Sequence, residues 1–124
     1  MSGQFGRADQ GIFSFWIHSL REKWPLKYIG FDGRGSQSRD CFQPRDFLTF
    51  FEKQIQGSKP SDLGDGVNVR ICSFSGGIKN SISLTQLSNW CRARFGLHDI
   101  GSGPQPRPYD LAWVILDSTR AANL

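Results

Sequence analysis

The chain of 124 residues is 38% hydrophobic and 13% aromatic, enough for one globular domain with a modest core and too little for several. Its formal charge of +4 and pI near 9.3 come from Lys and Arg scattered along the sequence, without the dense basic block of a nucleic-acid-binding surface. Three widely separated cysteines, Cys41, Cys72 and Cys91, make neither a disulfide framework nor a CxxC pair. No apolar run is long enough to cross a bilayer, and the first residues lack the basic and hydrophobic regions of a signal peptide, so a soluble cytoplasmic protein with no membrane partner is expected.

From the start of the chain, Ile12, Phe13, Trp16, Ile17 and Leu20 recur at helical spacing after Asp9, a residue suited to an N-cap, and the pattern ends before Pro25. Leu26 to Phe31 and Arg39 to Phe42 are short, mostly apolar runs that predict strands. Pro44 stands at the first turn of a second predicted helix, with Phe47, Leu48, Phe51 and Ile55 on one side and Gly57 past its end. Val67 to Phe74 predicts a third strand.

Ser83 with Gln86 three residues later forms a capping box for a third helix, whose stripe is Leu84, Leu87, Cys91 and Phe95 and whose stop is Gly96. Gly76-Gly77 and Asn80, just ahead of it, have the composition of a tight, left-handed turn and read as structural. The segment Gly96 to Pro108 reads as a long connection, Ala112 to Leu116 as a strand, and Asp117 or Ser118 as the cap of a helix still in progress at Leu124, which implies that the natural chain continues. The alternation of strand and helix predicts an α/β fold.

Chemistry is sparse. The sequence holds no Gly-x-Gly-x-x-Gly, no phosphate-binding Gly-x-x-x-x-Gly-Lys, no His-Glu-x-x-His and no Gly-x-Ser-x-Gly. His18 and His98 are the only histidines and neither has a second ligand at metal-binding spacing, so no metal and no complete catalytic site are expected.

Three stretches carry a resemblance when read together. Gly33-Arg34-Gly35-Ser36-Gln37-Ser38-Arg39-Asp40 leads into Asp46-Phe47; Gly76-Gly77-Ile78-Lys79-Asn80 leads into Ser83-Leu84; and Arg107-Pro108-Tyr109-Asp110 is followed by Asp117-Ser118-Thr119-Arg120-Ala121. In this order and spacing they resemble the C-terminal part of extended short-chain dehydrogenases/reductases acting on nucleotide sugars. With Gln4-Phe5-Gly6-Arg7-Ala8-Asp9-Gln10-Gly11 added, the chain is most similar to the CDP-paratose (CDP-tyvelose) 2-epimerase group.

That resemblance implies an α/β C-terminal substrate-binding portion of a Rossmann-type epimerase, residues 1–124, lacking the N-terminal dinucleotide-binding half. It implies a small lobe around Leu26 to Phe31 and Pro104 to Asp110. In the intact enzyme a sugar carbon would be oxidised by NAD and re-reduced, with NAD held mainly by the missing half, so this chain alone is expected to be inactive. Arg39 and Arg107 would hold the pyrophosphate of a nucleoside-diphosphate sugar through charge-assisted hydrogen bonds of about 1.5–3 kcal/mol each, and Asp110 would accept from ribose hydroxyls. Arg39 pairing with Asp40 or Asp46, and Arg107-Pro108 as an extended linker, are the plain alternatives.

At the level of the whole chain, a self-contained binding module and, after it, a nucleic-acid-binding domain are the rival classes. Phe13, Trp16, Phe50 and Phe51 exceed what narrow helix faces require, so exposed apolar surface and self-association, with a homo-oligomer as one outcome, are expected.

Overall fold

The computed structural model describes residues 11–56 and 73–122. Within them the order is α1 (Ile12–Arg21), β1 (Leu26–Ile29), β2 (Ser38–Asp40), α2 (Pro44–Ile55), β3 (Ser81–Ser83), α3 (Leu84–Phe95), β4 (Ile100–Gly103), β5 (Trp113–Val114) and α4 (Thr119–Ala122). The fold is α/β. β1 and β4 form a parallel pair, Leu26 opposite Ile100 and Ile29 opposite Gly103, and a second sheet runs β3-β2-β5 with β2 and β5 parallel. The described chain divides into two compact units, one of residues 11–39 and 82–114, the other of residues 40–56, 73–81 and 115–122.

The first unit holds the core. Trp16 and Leu20 of α1, Leu26 of β1 and Leu84, Leu87 and Cys91 of α3 are buried together, with Phe13, Ile17, Tyr28, Ile82, Phe95 and Ile100 packed around them. Each fully buried leucine contributes about 1.5–3 kcal/mol of transfer free energy. The Cys91 thiol is pushed up by burial, chiefly, so it stays protonated. The stripes expected on α1 and α3 are therefore the core stripes, except that Ile12 lies at the exposed end of its own.

Polar side chains close the same unit. Ser88 Oγ accepts from Trp16 Nε1 at 2.8 Å and from the Tyr28 hydroxyl at 2.7 Å, and donates to the Leu84 carbonyl at 2.7 Å, while the Trp16 and Tyr28 rings stack with centroids 5.5 Å apart. One hydroxyl thus uses its one donor and both acceptor positions. The capping box is formed in full, Ser83 Oγ accepting from Gln86 N and Gln86 Oε1 from Ser83 N. Gly96 ends α3 at φ 82, and Lys23 Nζ lies within 3.3 Å of the carbonyls of Phe95, Gly96 and Leu97, where a cation offsets the negative helix end.

Several boundaries differ from the sequence expectation. The first strand stops at Ile29 because Gly30, Phe31 and Asp32 all take positive φ, and a Cβ on Gly30 would come within 2.8 Å of Pro106 Cα. That approach brings Gly30 against Pro106. The connection from Gly96 to Pro108 contains β4, and the helix start is capped at Gly11; Asp9, Gly57 and residues 67–72 of the expected third strand lie outside the described residues, and residues 73 and 74 are not in a strand. Trp16, expected to add to exposed apolar surface, is 4% exposed.

In the other unit, α2 begins with Pro44 at its first turn as expected. Its apolar side is uncovered among the described residues: Phe47, Leu48, Phe51 and Ile55 are all exposed. Phe74 meets Phe42, Phe47 and Phe50 with ring centroids 5.1–5.7 Å apart. The expected glycine turn is present. A Cβ on Gly76 would lie 1.7 Å from the Cys41 carbonyl oxygen, Gly77 has φ 64, and Asn80 Nδ2 donates to Gly76 O at 2.9 Å. Asp117 accepts from the Thr119 hydroxyl and, at 2.9 Å, from Thr119 N, which together hold its carboxyl below the usual range.

Candidate functional site

The first unit holds a cleft of about 810 Å³ between α1, β1 and the segment Arg107 to Asp110. That is the size of a small-molecule site. Phe15, Trp16 and Leu26 give it an apolar wall, and Lys27, Gln37, Arg107, Tyr109 and Asp110 supply its polar edge.

Each polar residue is positioned by an identifiable local cause. Asp110 N donates to Arg107 O at 3.1 Å, and Pro108 and Tyr109 occupy the two central places of that turn, with Tyr109 at φ 62. Proline second and a positive φ third is the pattern of a type II turn, whose third place normally takes glycine or asparagine. A tyrosine there costs about 1 kcal/mol. Arg107-Pro108 is therefore a tight turn, and the extended-linker alternative is set aside.

Arg107 and Asp110 line the cleft, whereas Arg39, expected beside Arg107 on the pyrophosphate, does not line it and reaches Asp110 instead. Arg39 Nη2 lies 3.7 Å from Asp110 Oδ1 and 2.9 Å from the Leu111 carbonyl oxygen, and Nη1 donates to Ser38 O at 2.8 Å and to Ala112 O at 3.2 Å. Two of these bonds thus go to the backbone that follows Asp110 and one to the neighbouring Ser38 carbonyl. Neither Asp40 nor Asp46 is its partner: the Asp40 carboxylate accepts from Leu116 N at 2.8 Å. Among the described residues neither Lys27 nor Arg107 is paired with a carboxylate, so the cleft edge presents two cations beside a carboxylate already offset by Arg39.

Gln37 lies in the stretch from Gly33 to Asp40, where the sequence does not mark it as a site residue. It is 5% exposed, its Nε2 donates to Ile29 O, its backbone oxygen accepts from Leu84 N at 3.1 Å, and its Oε1 is buried without a partner. The bond to Ile29 fixes which end of the amide is nitrogen. Lys27 carried no signal at all, since a lysine in a short strand is unremarkable until the cleft is seen.

No group of histidine, cysteine and carboxylate side chains suited to a metal occurs among the described residues. His98 Nε2 instead meets Trp24 O at 2.7 Å. In the other unit, a smaller hollow of about 520 Å³ runs along Gly77, Lys79 and Leu116 to Thr119, over the glycine turn. No helix among the described residues is long and apolar enough to cross a membrane. No family model matches the chain, and neither does any curated protein or solved structure.

Proposed function

We propose that this chain is the nucleotide-sugar-binding part of an NAD-dependent nucleoside-diphosphate-sugar epimerase of the extended short-chain dehydrogenase/reductase type. The observation that carries the reading is the meeting of Arg107, Lys27 and Asp110 at one cleft with an apolar wall. Two cations without a carboxylate partner among the described residues suit a pyrophosphate, which carries about two negative charges, and a carboxylate suits adjacent ribose hydroxyls. Arg39 supports the site by bracing Asp110 and the carbonyls after it.

NAD belongs to this reading as the hydride carrier of the intact enzyme, held by a Rossmann half beyond the 124 residues. The sequence here has no glycine-rich strand-to-helix turn for a dinucleotide. The chain's own contribution is to bind and orient the substrate.

A second reading, a self-contained binding module, is favoured by one observation: every residue of the buried core cluster comes from the unit that also holds the cleft. Both readings predict the same ligand chemistry. Calorimetric titration of the chain with CDP and UDP should show weak binding that falls as salt rises, because phosphate contacts are screened. Arg107→Ala should lower affinity about tenfold or more, and Lys27→Ala by a smaller factor. Unchanged affinity in both variants would remove the cleft as a diphosphate site.

A further inference from the structure

We propose that Tyr109 is the platform on which the base of the bound nucleotide stacks, so that the turn from Arg107 to Asp110 reads diphosphate, base and ribose with successive side chains. The inference rests on the nucleotide-binding reading of the cleft and goes beyond it by assigning the base to a residue.

Tyr109 combines two features that its own surroundings leave uncompensated. Its side chain is fully exposed, at 102% of the reference area, yet it lines the cleft. Its backbone holds φ 62 at a turn position where glycine would relax it. A large aromatic on a strained backbone, left fully exposed among the described residues, is stabilised when a flat ring covers it. Arg107 lies two residues before it and Asp110 one residue after, joined by the Asp110 N to Arg107 O bond of 3.1 Å. A ligand that sets phosphates on Arg107 and ribose hydroxyls on Asp110 therefore carries its base past the Tyr109 ring. Every nucleobase has a π-face, so stacking supplies affinity with little discrimination among bases.

The test compares CDP, inorganic pyrophosphate and ribose 5-phosphate on the full chain by ligand-observed NMR. With wild type, the cytosine H5 and H6 resonances should move upfield from the ring current of the tyrosine. Tyr109→Gly should abolish that shift and weaken CDP about tenfold, while pyrophosphate and ribose 5-phosphate affinities stay within twofold. Tyr109→Phe should keep both the shift and the affinity. Because glycine relaxes the turn, Tyr109→Gly should melt no lower than wild type, so loss of CDP cannot be assigned to unfolding.

Wild-type CDP affinity in Tyr109→Gly would overturn this inference and leave the diphosphate reading standing. Equal losses for CDP and ribose 5-phosphate would overturn it in favour of a sugar contact. Failure of the wild-type chain to bind either CDP or pyrophosphate would overturn both readings.

Discussion

Ser88 shows how a single oxygen sets the geometry of the core. It is fully buried, and it joins Trp16, 72 residues away, to Tyr28, 60 residues away, while its own proton goes to the Leu84 carbonyl. Ser88→Ala would strand the indole N–H and the phenol O–H at once. Leaving buried donors unsatisfied costs about 1–3 kcal/mol, so a loss of about 2 kcal/mol is expected in urea unfolding, and a change of only a few tenths would contradict the network. None of this was legible in the sequence, where a serine within a helix stripe reads as a tolerated polar residue. The bracing role of Arg39 is hidden in the same way, although the residue itself stands out in the sequence: its partners Asp110, Leu111 and Ala112 lie at the far end of the unit's sequence, and only folding brings them together.

At the scale of elements, what is local was legible and what depends on a partner was not. Ser83, Gln86 and Gly96 act within one helix, and the capping box and stop of α3 are where the spacing put them. β4 escaped notice because Ile100-Gly101-Ser102-Gly103 has neither alternation nor β-branched content beyond its first residue; pairing with β1 makes it a strand. α2 exposes a different limit. Its amphipathic spacing is real, but the described residues leave Leu48 59% exposed, so periodicity located the face without telling what covers it. Two substitutions should therefore separate cap from stripe in thermal melts. Ser83→Ala should cost about 1 kcal/mol, whereas Leu48→Lys should stay within about 0.5 kcal/mol of wild type; a large loss at Leu48 would show that α2 is covered.

For the whole molecule, the α/β class followed from alternation, while the parallel pairing did not, because nothing in Leu26 to Ile29 names Ile100 to Gly103 as its neighbour. The core is assembled from both sides of the intervening residues 40–81: Trp16, Leu20 and Leu26 bury against Leu84, Leu87 and Cys91. A chain ended at Ser81 should consequently have no cooperative unfolding transition and no dispersed methyl resonances; a sigmoidal melt from it would refute this account. The parallel β1 and β4 pair also has a meaning during synthesis. Because the later strand is made long after the earlier one, the ribosome releases α1 and β1 before Leu84, Leu87 and Cys91 of α3 and Ile100 of β4 exist to cover them. For that interval the stretch around Trp16 is a nascent apolar segment for chaperones to hold, and folding of this unit waits on translation of α3 and β4.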